Sequence, residues 1–164
     1  MKKVGIVMGS DSDLPVIKKA TDTLDALSIP YEVHIYSAHR TPEQAKDFAQ
    51  GAADNGFCAI IAAAGMAAHL AGAIAANTVL PVIGIPCKST TLDGIDALLS
   101  TVQMPSGIPV ATVAINAGVN AALLCAQIIA VEDEELREKL IQKRKNDAQA
   151  VLKKDAEVMD KLKD

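Results

Sequence analysis

Residues 57–87 contain no Asp, Glu, Lys or Arg, and this stretch limits the folds open to the chain more than any other. About 20 apolar residues suffice to cross a bilayer, so a membrane span is one reading. Gly65, Gly72, Pro81, Gly84 and Pro86 interrupt the run, His69 and Asn77 add polar groups, and much of the remainder is alanine. Two buried strands flanking an uncharged helix account for it better. A parallel strand is covered on both faces, and a helix that is apolar all round must be buried. No membrane partner is expected. Residues 116–131 form a second uncharged run. Two such helices in a small chain predict that another copy covers them, as a homo-oligomer.

The flanking sequence repeats the same alternation. An apolar run over 4–8 breaks at Gly9-Ser10-Asp11-Ser12-Asp13, and Ile17, Ala20, Leu24 and Leu27 then recur at helical spacing. Ser12 or Asp13 can cap this helix, with Pro15 in its first turn. A second strand is expected over 31–36, with Val33 and Ile35 on one face. Thr41-Pro42-Glu43-Gln44 matches a capping box with proline at the first helical position. The inner face of that helix is Ala45, Phe48, Ala49 and Ala52.

Further strands are expected over 57–63, 81–85 and 110–115, and helices over 66–77, 93–101 and 120–131. Strand–helix–strand crossovers are right-handed and leave helices on both faces of a parallel sheet. The expected fold is therefore a single three-layer α/β domain spanning 1–164, with a five-stranded parallel sheet in the order 2-1-3-4-5. That order sets the loops after strands 1 and 3 side by side at a topological switch point, where such sheets bind ligands. Residues 132–164 are highly charged but keep a stripe of Leu136, Leu140, Ala148, Val151, Val158 and Leu162. They read as a C-terminal helical arm packed on the body or on a neighbouring subunit.

The 164 residues, half of them hydrophobic, suit one domain with a substantial core. A formal charge of −4 gives no electrostatic footprint for nucleic acid. Cys58, Cys87 and Cys125 lie far apart in apolar surroundings, as reduced thiols of a cytoplasmic protein would. Neither a disulfide framework nor a metal site is expected. Met1-Lys2-Lys3 precedes an apolar run too short for a signal peptide.

Three loops can carry chemistry. The one at 9–13 precedes a helix N-terminus, where free amides favour an anion, and Ser10 and Ser12 add hydroxyl donors. Asp13 suits sugar hydroxyls. Capping alone explains Ser12 and Asp13 equally well. His39 and Arg40 follow the second strand: an imidazole titrates near neutrality and can shuttle a proton, while a guanidinium grips phosphate as a bidentate fork. Either residue alone reads as an ordinary surface group. His69 lies in a small-residue stretch, Ala64-Gly65-Met66-Ala67-Ala68-His69-Leu70-Ala71-Gly72, where a lone histidine is more often structural. His34 has no assigned role.

Gly-Ser-x-Ser-Asp at 9–13, Ser-Ala-His-Arg-Thr-Pro at 37–42, Ala-Gly-x-Ala-Ala-His-Leu at 64–70 and Gln-Met-Pro-x-Gly-Ile-Pro-Val at 103–110 together resemble the class I 5-(carboxyamino)imidazole ribonucleotide mutases of purine biosynthesis. The resemblance spans nearly the whole chain. It implies a flavodoxin-like fold, an octamer, no metal and no organic cofactor. It further implies that Ser10, Ser12 and Asp13 line a ribose-phosphate pocket with Arg40 on phosphate. His39 would transfer the proton, while Ser37, Ala38, Gly65, Ala68, His69 and Leu70 surround the imidazole and its carboxylate. The implied reaction moves a carboxylate from the exocyclic nitrogen to ring carbon four of the ribonucleotide.

A related class carboxylates the aminoimidazole ribonucleotide directly; it is similar in the first loop, but Arg40 and the Ala-Ala-His-Leu stretch favour the mutase. Ala71 stands where many mutases carry proline. Non-catalytic binding modules on the same fold compete with both enzyme readings. A flavin carrier needs aromatic walls, but the chain has no Trp and only Tyr31, Tyr36, Phe48 and Phe57. A phosphoacceptor receiver needs a lysine after the fifth strand, where Asn116-Ala117 stands.

Overall fold

The computed structural model describes residues 2–162. Five strands, β1 (Lys3–Met8), β2 (Tyr31–Ile35), β3 (Phe57–Gly65), β4 (Val82–Cys87) and β5 (Ala111–Thr112), alternate with helices α1 (Leu14–Ala26), α2 (Pro42–Gly51), α3 (Leu70–Ala75), α4 (Ile95–Val102) and α5 (Gly118–Ile129). The sheet is parallel throughout, in the order β2-β1-β3-β4-β5. Helices cover both faces, giving the expected three-layer, flavodoxin-like architecture.

The residues form two compact units, one ending at Ile128 and one beginning at Ile129. In the first, the uncharged run becomes the centre. Ile60, Ile61, Ile83 and Ile85 of the two middle strands are at most 1% exposed. On one face Val7, Ile60, Ala62 and Val82 pack with Ala45 and Ala49 of α2 and with Leu70, Ala71 and Ile74 of α3. α3 thus buries itself against its own chain, and its lack of charge does not by itself call for a second copy. On α1, Ile17, Ala20 and Leu24 are at most 1% exposed, and Gly118 lets α5 approach α1 so closely that a Cβ there would lie 2.2 Å from the Val16 carbonyl oxygen.

Several boundaries differ from expectation, each for a local reason. The helix expected over 66–77 shrinks to six residues because Met66 adopts φ 54°, in the left-handed region. The Ala68 and His69 amides then donate to Met66 O and Ala67 O, both at 2.8 Å. The expected capping box is not formed: the Thr41 hydroxyl makes no cap bond to its helix and instead accepts from the Ser37 amide at 2.8 Å. Neither Ser12 nor the Asp13 side chain caps α1. A short 3₁₀ turn, Asp11–Asp13, intervenes, and the Ser10 side chain accepts from Ser12 N. α4 starts at Ile95 because Asp93 and Gly94 take φ of 53° and 94°.

β5 has only two ladder residues. Its continuation touches β4 through Val113 N to Gly84 O and Asn116 N to Pro86 O. On edge strand β2, Val33 and Ile35 are exposed, while His34 stacks on Tyr36 with ring centroids 5.0 Å apart. In the second unit α6 (Glu134–Lys161) is one 28-residue helix, capped by the Asp133 side chain accepting from Leu136 N. Leu136 is its only buried residue among those described, and Val151, Val158 and Leu162 of the apolar stripe are exposed.

Candidate active site

The C-terminal ends of four adjacent strands enclose a cavity of about 580 Å³, a size that suits a small organic ligand. Gly9, Ser10, Ser12 and Asp13 follow β1, and Ser37 to Arg40 follow β2. Ala64 to Ala67, His69 and Leu70 continue β3, and Lys88 and Ser89 follow β4. Every site residue named from sequence lies on this wall except Ala68, which is 2% exposed and buried behind it.

Ser37 organises the second loop. Its hydroxyl accepts from the His39 and Arg40 amides at 3.3 and 3.2 Å, and its carbonyl accepts from the Thr41 amide at 2.9 Å. This compact turn explains why the Thr41 hydroxyl faces backward. The Arg40 guanidinium reaches across to the first loop and donates to Gly9 O at 3.3 Å. A guanidinium carries five N–H donors, so one such bond leaves others to fork onto an oxyanion in the cavity.

His39 and His69 come from different loops, yet their rings stack with centroids 6.3 Å apart and planes 20° from parallel. The left-handed Met66 makes this possible, since a continuous helix over 66–77 would carry His69 along a different path. Two imidazoles beside a guanidinium and a carboxylate can move a proton on a bound anion. Gly65 backs this corner, as a Cβ there would meet Cys87 O at 3.3 Å.

Asp13 is 8% exposed. Burial pushes its carboxyl up from the ordinary value, and the Asp11 charge adds to this; hydrogen bonds from the Cys87 thiol and at the Ser10 backbone pull the other way. Burial and the neighbouring carboxylate together push the Cys87 thiol up to about 12. Asp13 lines the cavity, and Cys87 lies buried behind that wall. Among the described residues no cluster of His, Cys, Asp and Glu is arranged to hold a metal ion.

Lys88 and Ser89 carry no site signal in the sequence, where they belong to an ordinary polar connection. Their signal is positional: they occupy the end of β4, the same edge that the other three loops share. Met66 and Ala67 join the wall because the helix expected to absorb them starts later.

Fold and cavity together define an α/β protein whose cavity, at the carboxyl edge of the sheet beside the switch point between β1 and β3, has the lining of a small-ligand site. The model of the AIR carboxylase family matches residues 3–150, and the chain belongs to that family. It is 60% identical over 137 residues to a Pyrococcus horikoshii protein named N5-carboxyaminoimidazole ribonucleotide mutase, covering 84% of this chain and 77% of that one. A Thermotoga maritima protein of the same name is 50% identical over 154 residues, covering 94% and 90%. The crystal structure of Treponema denticola PurE superposes with a TM-score of 0.87 at 30% identity, over 96% of this chain and 98% of that one.

Proposed function

We propose that this protein is an isomerase that converts 5-carboxyaminoimidazole ribonucleotide to 4-carboxy-5-aminoimidazole ribonucleotide in purine biosynthesis. The observation that carries the reading is the pairing of His39 and His69 across one cavity that also presents Arg40 and Asp13. Relatives named as mutases at 50–60% identity support it.

In this reading Arg40, Ser10 and Ser12 hold the phosphate, and Asp13 takes the ribose hydroxyls. His39 delivers a proton to the carbamate nitrogen as the C–N bond breaks and carbon dioxide is released. Carbon dioxide stays against the small-residue wall of Ala64, Gly65 and Ala67 while ring carbon four attacks it, and confinement supplies a high effective concentration. His39 then removes the proton from that carbon, restoring the ring and itself. His69 lies beside it, facing the transferred group. Ser37, Ala38, Gly65 and Leu70 shape the base pocket, with Ala68 supporting it from behind. No step of this chemistry calls on a metal or an organic cofactor.

The same reading makes the chain one α/β domain with a helical arm, working as a cytoplasmic homo-octamer. Apolar side chains at Leu92, Ile95, Leu99 and Val102 are all 46–56% exposed, and neighbouring copies would cover such a stripe, together with that on α6. Among the described residues no helix is long and apolar enough to cross a membrane.

Turnover of the carboxyamino ribonucleotide without added bicarbonate, set against carboxylation of the unmodified ribonucleotide, tests the reaction and separates the direct carboxylase. His39→Asn should lower kcat by about 10² to 10⁴ while the ribonucleotide still binds; a near-normal rate would remove the proton-transfer role. Arg40→Ala should cost about 1.5–3 kcal/mol of ribonucleotide affinity, and unchanged affinity would remove its phosphate assignment.

A further inference from the structure

The cavity wall carries two side chains with a permanent positive charge, Arg40 and Lys88. Arg40 lies in the loop after β2 and Lys88 directly after β4, and β1 and β3 lie between those strands. Three inter-strand steps separate those two strands by about 14 Å. The two cations therefore come to one cavity from the loops of its two outermost strands. The substrate in the reading above has the matching asymmetry, a phosphate at one end and a carboxylate on the base at the other. Arg40, reaching over to Gly9 at 3.3 Å, belongs to the phosphate end.

We propose that Lys88, with the adjoining Ser89 hydroxyl, binds the carboxylate end of the ribonucleotide and so selects carboxylated over uncarboxylated ligand. This assignment rests on the ribonucleotide reading of the cavity. Three observations on the β4 loop support it. The Lys88 backbone is fixed, its amide donating to Asn116 Oδ1 at 2.9 Å, and Asn116 itself is held at φ 58°. Among the described residues the ammonium is engaged in an ion pair with Asp93 at 2.9 Å, whose two side chains are 58% and 77% exposed. Such a pair contributes little and exchanges readily for a better-placed anion. Beside it, Ser89 Oγ is shielded from solvent and has no hydrogen-bond partner among the described residues. An unmade bond of that kind is costly to leave standing. Ser89 lines the cavity, so a carboxylate bound there would supply the missing partner.

Equilibrium binding of the full chain to two stable probes, the 4-carboxylated and the uncarboxylated aminoimidazole ribonucleotides, decides the point. Wild type should prefer the carboxylated probe by about tenfold. Lys88→Met should remove most of that preference by weakening the carboxylated probe alone, and Ser89→Ala should remove a smaller part. Asp93→Asn, which breaks the ion pair but keeps the ammonium, should preserve the preference. Equal affinities in wild type, or a Lys88→Met loss shared by both probes, would overturn the assignment. Turnover is read separately: a wild type that shows the preference but does not isomerise refutes the proposed reaction and leaves Lys88 as a carboxylate-binding residue.

Discussion

Replacing Gly118 by alanine tests how rigidly α1 is held over the sheet. The added Cβ would lie 2.2 Å from Val16 O, 3.2 Å from Ala20 N and 3.3 Å from Lys19 Cβ. Two of these neighbours are backbone, so no side-chain rotation relieves them, and α1 and α5 must separate by about 0.8 Å. That movement lifts Ile17, Ala20 and Leu24 from contacts that leave them at most 1% exposed. A gap of 0.5–1 Å forfeits roughly a quarter to a half of each dispersion contact, and each contact is worth about 0.1–0.2 kcal/mol. Summed over the dozens of contacts of two large side chains and partly recovered by relaxation, the cost is about 2–4 kcal/mol. Urea denaturation should show a lower midpoint with an unchanged slope. Gly56→Ala is the matched comparison: Gly56 has φ +80° and nothing within 4 Å of an added Cβ, so its cost is conformational and about 1 kcal/mol. A Gly118→Ala loss below that of Gly56→Ala would refute the packing argument.

Buried titratable groups set two more expected outcomes. Because burial raises the Asp13 carboxyl in the folded protein, its contribution to stability is full below the ordinary carboxylate value and is lost as pH rises through the folded one. Asp13→Asn should therefore be more stable than wild type at pH 7, with the difference shrinking towards pH 4, while ribonucleotide affinity falls; a pH-independent difference in melting would count against this. Burial also pushes up the thiols of Cys58, Cys87 and Cys125. Iodoacetamide at pH 8 should label the half-buried Cys58 well before Cys87 or Cys125, as peptide mapping would show, and equal rates for all three would contradict the burial order.

Much of the architecture is legible in the order of the residues. Uncharged runs mark the two central strands, and Gly, Pro and Asp clusters mark the turns between elements, because both follow from burial and backbone sterics. Helix starts are less legible. Thr41 offers a capping box, but its hydroxyl has a competing partner in the Ser37 amide four residues earlier, and such local competition depends on the path of the loop. Met66 has the composition of a helix around it, yet its left-handed φ redirects the chain. The site itself is visible as three motifs, whereas the 6.3 Å stacking of His39 on His69 requires the sheet order and that turn together. Lys88 and Ser89 stay hidden because a lysine–serine loop is the ordinary composition of any connection.

The brevity of β5 has a consequence for how copies of this chain can meet. Its two ladder residues begin two positions after Pro109, which has no amide hydrogen to offer, and they are succeeded by single bonds back to β4 rather than by a regular edge. At this edge an incoming strand finds almost no row of free donors and acceptors on which to extend the sheet. Sheet extension from this side is thereby disfavoured, and β2, the opposite edge, is the one that keeps a regular row of backbone groups.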